Sequence, residues 1–351
     1  MAKKIIVGAG FSAAITKILI GKKVNIFGTH NHNFLKKNFF FRRKCLDSNK
    51  FFKKKIYSYG SLNFDLKKGK MHDRLIIGGN STIWGGHINL RNISNKMLSI
   101  FKIYNVVFKK LSFKNTGTIS NNKDIYQAQT LNGNILESQN LYKNIKNAYI
   151  LNFFIKRKKI FVNIMTSERG RIQKFHVSKL FLCLGTVQFL DLLYRSNFIK
   201  ENDLIELSEF SHKFKFTLLS NAITNKNATI IRYKFSRAVG HFLGIQSFSK
   251  YLKILNFLPV CIDQCFYKKK KNYKLQIKQG QVIEKNNDTD SNKFGVSAHY
   301  CNLRINKIPI NKFLKKINPN IFGIGMSFID QKIPGPISND IILDVQKKIN
   351  L

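Results

Sequence analysis

Lys4-Ile5-Ile6-Val7-Gly8-Ala9-Gly10-Phe11-Ser12-Ala13 stands at the start of the chain, and its reading decides the fold. A β-branched run from Lys4 to Val7 stops at Gly8, a helical stretch follows from Phe11 to Ile20, and a second apolar run covers Val24 to Phe27. One strand, turn, helix, strand unit with G-x-G-x-x-A spacing is a dinucleotide-binding fingerprint. Gly8 permits the tight turn, Gly10 lets backbone approach a pyrophosphate, and small Ala13 lets helix and strand pack closely. The helix start at Phe11 and Ser12 offers N–H groups and a partial positive charge to the anion. The second strand runs into Gly28, Thr29 and His30, so the acid that such units direct at the adenosine ribose is absent, and either other groups recognise the ribose or cofactor affinity is reduced.

Around this unit lies material for about two domains, since 351 residues exceed the roughly 150 of a typical one. Hydrophobic residues are 44% of the chain and Phe alone contributes 31 positions, which excludes a disordered polyelectrolyte. Charge is lopsided: 61 Lys and Arg against 18 Asp and Glu give +43. Such a field attracts anionic surfaces, nucleic acid included. The basic runs at Lys36–Lys37, Arg42–Lys44, Lys53–Lys55 and Lys268–Lys271 are dispersed and accompany no base-reading motif, so scattered solvated lysines are the plainer reading. Five cysteines, odd in number and widely spread, argue for a reducing, cytoplasmic setting and against a disulfide framework or zinc site. No run of about 18 uncharged apolar residues occurs, so a membrane span is not expected.

Further along, Ala148–Ile155, Lys159–Met165 and Lys179–Leu184 read as a β-meander feeding a strand, followed by an amphipathic helix over Val187–Tyr194. Residues 210–300 alternate apolar runs, such as Phe216–Leu219 and Ala228–Tyr233, with basic turns, the pattern of a mostly antiparallel sheet. Asn286–Asn292 reads as an exposed loop, and 31–70 as loops and short helices.

Four further stretches carry a resemblance. Arg74-Leu75-Ile76-Ile77-Gly78-Gly79-Asn80-Ser81-Thr82-Ile83-Trp84-Gly85-Gly86 resembles the second signature of the glucose-methanol-choline family of flavin oxidoreductases. Lys179-Leu180-Phe181-Leu182-Cys183-Leu184-Gly185-Thr186-Val187-Gln188 is similar to the strand, Gly-Thr turn and helix that return that family's chain to the cofactor domain. Asn320-Ile321-Phe322-Gly323-Ile324-Gly325-Met326-Ser327-Phe328 is similar to its final cofactor-domain strand, and Pro334-Gly335-Pro336-Ile337-Ser338-Asn339 precedes a closing helix. The likeness covers about 1–28, 72–91, 143–196 and 295–351; residues 210–294 resemble nothing nameable.

The resemblance implies an α/β chain with a discontinuous Rossmann-like FAD-binding domain (1–100, 145–209 and 295–351), a connecting segment (101–144) and a smaller, mostly antiparallel substrate domain (210–294). It implies contacts to FAD from Gly8, Gly10, Phe11, Ser12, Ala13, Gly79, Ser81, Thr82, Gly85, Gly185, Gly325 and Met326. It implies oxidation of a small-molecule alcohol, a sugar or polyol among the candidates, with an electron acceptor the sequence does not name. His299 falls in the place of the catalytic base and Asn339 in that of its hydrogen-bonding partner. Asn302-Leu303 replaces the Gly-Thr that usually follows the histidine. Ile83 stands where some relatives attach flavin through a histidine, so binding is expected to be non-covalent. His87 can face the flavin or be a loop imidazole, His212 reads as structural, and His30 with His32 lacks a third metal ligand. Two other classes remain: a basic protein that binds nucleic acid or an anionic surface on a dinucleotide fold, and an inactive flavoprotein.

Overall fold

The computed structural model describes residues 3–21, 24–28, 62–64, 86–91, 93–141, 145–166, 171–242, 257–285, 300–330 and 338–349. Among these the strands are β1 (Lys3–Val7), β2 (Asn25–Gly28), β3 (Asn63–Phe64), β4 (His87–Asn89), β5 (Val106–Lys110), β6 (Thr118–Ser120), β7 (Ile125–Thr130), β8 (Lys146–Lys156), β9 (Lys159–Thr166) and β10 (Ile172–Leu182). They continue as β11 (Leu204–Leu218), β12 (Ala228–Lys234), β13 (Val260–Lys278), β14 (Gln281–Glu284), β15 (Tyr300–Ile305), β16 (Ile308–Pro309) and β17 (Ile321–Gly323). The helices are α1 (Phe11–Ile20), α2 (Asn95–Ile103), α3 (Thr186–Arg195), α4 (Phe235–Phe242), α5 (Ile310–Ile317) and α6 (Ser338–Ile349).

The first unit forms as its glycines dictate. Gly10 caps α1 and Gly21, at φ 93°, stops it, with its N–H on the Lys17 carbonyl. β1 then pairs in parallel with β2 on one side and with the C-terminal half of β10 on the other, Ile6 lying opposite both Ile26 and Phe181. β17 extends the parallel array beyond β10, and the start of β8 extends it beyond β2. β8, β9 and the N-terminal half of β10 form the antiparallel meander. β10 begins at Ile172, well before the apolar run at Lys179, because Gln173, Lys174 and His176 turn to solvent and hide the strand from a hydrophobicity reading.

Alternation along β1 and β10 shows that the parallel sheet is covered on both faces, as parallel sheets are. Ile5, Val7, Leu180 and Leu182 point into one core with α3 and the meander. Ile6, Phe181 and Cys183 point into the other, with α1 and α6. Each isoleucine or leucine so buried contributes about 2 kcal/mol.

A second, eight-stranded sheet runs β16-β15-β11-β13-β12-β6, with β14 on β13 and β3 on β14. Its pairings are antiparallel except that of β14 with β3. Ile205, Leu207, Leu275 and Ile305 carry it into the core that covers the α3 face of the first sheet. β4, β7 and β5 make a third, small sheet. α4 interrupts the stretch read as continuous sheet, directly after β12. The fold is thus mixed α/β with a Rossmann-like parallel sheet. The expectations for 31–61, 65–70 and 286–292 lie outside the described residues.

Candidate dinucleotide site

The carboxyl ends of β1, β10 and β17 meet at one edge, and the backbone there is packed too closely for side chains. A Cβ placed on Gly8, at φ 116°, would lie 2.2 Å from the Cys183 carbonyl oxygen. The Cys183 N–H donates to Val7 at 2.7 Å, and the Gly8 N–H to Phe27 at 2.8 Å, which fixes the turn to both neighbouring strands. A Cβ on Gly325, at φ 129°, would lie 3.1 Å from Ser12 Oγ. Ile324 N–H bonds Leu182 at 2.9 Å, so the Gly325-Met326 turn hangs directly off the β10 end. Gly185 caps α3, whose first residue, Thr186, shares a 2.6 Å hydrogen bond with Ser327. Gly8, Gly10, Phe11, Ser12, Ala13, Gly185, Gly325 and Met326 are therefore brought together by three strand ends. Gly79, Ser81, Thr82, Gly85 and His299 lie outside the described residues.

No side chain caps α1 and no acid occupies its first turn, so the electrostatics of its N-terminus favour an anion. Gly28 explains the missing acid in steric terms: a Cβ there would lie 2.6 Å from the Ala9 side chain. Beneath the turn, the Cys183 thiol sits 3.6 Å from Thr16 Oγ1, and burial pushes its pKa up to about 12. It is an inert packing group. Cys261, Cys265 and Cys301 are likewise buried and form no disulfide.

Asn339 is the second residue of α6, the helix packed beside α1 through Ile341 and Ile342. Its Oδ1 is buried with no hydrogen-bond partner among the described residues. The preceding Ser338 donates to the His87 carbonyl at 2.7 Å. His87 itself is 6% exposed on β4, with its ring 5.7 Å from that of Tyr233. Tyr233 donates to Gln264 at 2.9 Å, and burial raises its phenol pKa. Gln127, opposite His87 in register, accepts from Gln129 at 2.7 Å. Sequence reasoning left His87 between two readings; the structure buries it on a strand, against the helix that carries Asn339. Ser338, Tyr233, Gln264 and Gln127 carried no signal, since each is a lone polar residue in an ordinary strand or cap position.

Asn302, where the resemblance expects glycine, adopts φ 55° and donates its N–H to Ile329 at 3.0 Å. That left-handed conformation suits glycine best and asparagine next. Asparagine therefore holds a left-handed turn at the position where the resemblance expects glycine.

Among solved structures, the chain is similar to pyridoxine 4-oxidase from Mesorbium loti, at 8% identity and a TM-score of 0.51, over 99% of this chain and 98% of that one. It also matches the glycerol-3-phosphate dehydrogenase from Bacillus halodurans complexed with FAD, at 8% identity and a TM-score of 0.26, over 77% of this chain and 48% of that one. No protein-family model and no curated protein matches the sequence. What the chain shares with the pyridoxine oxidase is the fold, traced over nearly the full length of both proteins.

Proposed function

We propose that the protein is a flavin-dependent oxidoreductase that holds FAD non-covalently at the edge formed by Gly8, Gly10, Gly185 and Gly325 and oxidises a small alcohol. The close backbone approach at that edge carries the reading: a Cβ on Gly8 would meet the Cys183 carbonyl oxygen at 2.2 Å and one on Gly325 would press on Ser12 Oγ at 3.1 Å, both at positive φ, beside a helix N-terminus that lacks an acid. A pyrophosphate needs such a surface, and FAD fits the groups present. When bound, the flavin would supply a two-electron acceptor for hydride. The fold likeness to pyridoxine 4-oxidase supports an oxidoreductase reading.

The chain's own residues orient the donor and take one proton. In this reading segments 1–100, 145–209 and 295–351 serve the cofactor, and 210–294 serve the substrate. His299 takes the hydroxyl proton, a task suited to an imidazole near neutral pH. Asn339, whose buried Oδ1 has no protein partner among the described residues, holds a hydrogen bond at the reacting centre. An amide left so costs about 1–3 kcal/mol in the absence of a partner, which a bound group would recover.

The test is the absorption spectrum of the purified protein. Bound oxidised flavin makes it yellow, unfolding releases the flavin, and anaerobic addition of alcohols bleaches it with a rate that His299→Ala lowers. Colourless protein that takes up no added FAD overturns the proposal.

A further inference from the structure

The outer face of the β8–β9–β10 meander carries a row of rings set among cations. By the two-residue period, Phe153, Ile155, Ile160, Val162, Phe175 and Val177 turn inward and pack in the core. Their neighbours Phe154, Phe161 and His176 turn outward, and the register sets Phe161 opposite Phe154 on one side and opposite His176 on the other. The two phenylalanine rings stack at 5.4 Å and 16°, and His176 follows Phe161 at 5.4 Å and 33°. The row therefore crosses three strands, with His176 exposed and both phenylalanines partly exposed.

Cations share that face. Lys174 holds its ammonium 4.8 Å from the Phe154 ring centroid and 4.9 Å from that of Phe161. Lys156 and Lys159 lie directly opposite one another at the hairpin end of the row, both exposed. Like charges so paired destabilise a sheet, and an anion between them relieves the repulsion. No Asp or Glu occurs in 146–166 or 171–182, so nothing in the described meander neutralises them. Asn318 donates to the Lys158 carbonyl at 3.0 Å, which brings the last turn of α5, with exposed Lys315 and Lys316, to the same hairpin.

Rings and cations together select the occupant. A bilayer needs apolar side chains that stand clear of the surface, whereas these phenylalanines are partly buried and lie under an ammonium group. A duplex meets the lysines but keeps its bases stacked on one another. A single strand uses both features, its phosphates neutralising lysines and its unstacked bases lying on rings. Asn152 and Asn163, joined at 2.8 Å on the same face, add amide groups that can pair with base edges.

We infer that the outer face of β8–β10 binds single-stranded nucleic acid, with bases on Phe154, Phe161 and His176 and phosphates on Lys156, Lys159 and Lys174. These contacts reach base and phosphate, which RNA and DNA share. The face lies on the N-terminal half of β10, whereas the dinucleotide edge forms at its carboxyl end, so binding does not depend on flavin.

The test is fluorescence anisotropy of the full chain with labelled oligothymidylate and oligouridylate of about 15 nucleotides and a DNA duplex of the same length. Both single strands are expected to bind at least about tenfold tighter than the duplex. F154L/F161L, which keeps apolar volume and removes the rings, should weaken single-strand binding at least about tenfold and duplex binding less than about threefold. K156Q/K159Q removes the like-charged pair and should reduce the slope of log affinity against log salt by about 1.4, two phosphates' worth. K109Q/K110Q, two exposed lysines of β5, controls for total charge and should change that slope by less than about half as much. Equal slopes in the two lysine variants, duplex binding as tight as single-strand binding, or full binding by F154L/F161L would overturn the site in favour of diffuse attraction by net charge. A preference above about tenfold for either sugar would overturn the base-and-phosphate assignment. Displacement of the strand by FAD would move it to the dinucleotide edge and also overturn the proposal. Should F154L/F161L fail to fold, the parent protein reads the same contact: oligothymidylate should protect Lys174 from acetylation and leave Lys109 reactive, and an unprotected Lys174 sinks the inference.

Discussion

Ser338 donates its hydroxyl to the backbone oxygen of His87 at 2.7 Å across 251 residues of sequence. This bond joins the helix that carries Asn339 to the strand that directly follows the glycine-rich segment. Both groups are buried, so Ser338→Ala takes a hydroxyl donor away from a carbonyl held in the interior. The expected loss is about 1–3 kcal/mol in urea-induced unfolding. An unchanged midpoint would mean the carbonyl finds another donor.

Gly8→Ala and Gly325→Ala separate two degrees of crowding at the same edge. At Gly8 the new Cβ meets a fixed backbone oxygen at 2.2 Å, and the strand end must move. At Gly325 it meets the end of a serine side chain at 3.1 Å, which can rotate away, so the positive φ is the main cost, about 1–2 kcal/mol. Gly8→Ala should therefore fold poorly or lose FAD uptake outright, whereas Gly325→Ala should fold and bind with reduced affinity. Flavin fluorescence titration with thermal melts distinguishes them; equal, intact binding by both would remove this edge from cofactor contact.

What the sequence disclosed follows from how local its signals are. α1 was legible because Gly10 and Gly21 punctuate an apolar stretch, and the structure starts and stops it at Phe11 and Ile20. α3 was legible from its amphipathic spacing to within a residue at each end. β11 was not, beyond Phe216–Leu219: its first half alternates Ile205 and Leu207 with Glu206 and Ser208 and gains its apolar partners only from β13 and β15. α4 escaped notice because its apolar residues continue those of β12. The pairing of β6 with β12 and the burial of His87 depend on contacts between distant segments, for which a single sequence carries no periodic signature.

Asp191 and Arg195 could be seen as an i, i+4 pair, yet not as a clamp. Arg195 bonds Asp191 at 2.9 Å, Tyr149 at 3.1 Å and the carbonyls of Ile150 and Leu151, while Asp191 accepts from the Leu62 N–H at 2.9 Å. The pair thus ties α3 to the meander and to the chain entering β3. Truncating one partner leaves the other charge buried, so Asp191→Ala should cost about 3–5 kcal/mol. Replacing both by apolar residues should cost markedly less than the sum of the single changes, a non-additivity that a double-mutant cycle measures. Additive losses would mean the two side chains act separately.

Asp340 gives stability a pH dependence of definite sign. Burial raises its carboxyl pKa from 3.8 to about 6. The folded chain therefore binds the proton more tightly than the unfolded one. Its favourable contribution is complete below pH about 4 and lost as pH rises through about 6. Asp340→Asn should raise the melting temperature at pH 7 relative to the parent and make little difference at pH 4. Partial exposure and the favourable position of an acid in the first turn of α6 reduce the gain to about 1–2 kcal/mol. A variant less stable than the parent at pH 7 would show that the carboxylate is stabilised in the folded state.

Asn339 provides a prediction whose sign depends on what is bound. Its Oδ1 is buried and unsatisfied by the described protein groups, so Asn339→Ala removes a polar atom that costs the empty protein free energy. Apoprotein stability should be unchanged or rise slightly, by up to about 1 kcal/mol, since the deleted amide leaves only a small void. In the flavin-loaded protein the same change should slow alcohol-driven bleaching by about a hundredfold, the scale of a hydrogen bond made to a developing charge. A purely structural asparagine would give the opposite pair of results, a destabilised apoprotein and an unaltered bleaching rate. Thermal unfolding without cofactor and stopped-flow reduction with it, run on the same variant, therefore decide whether this amide faces the chemistry.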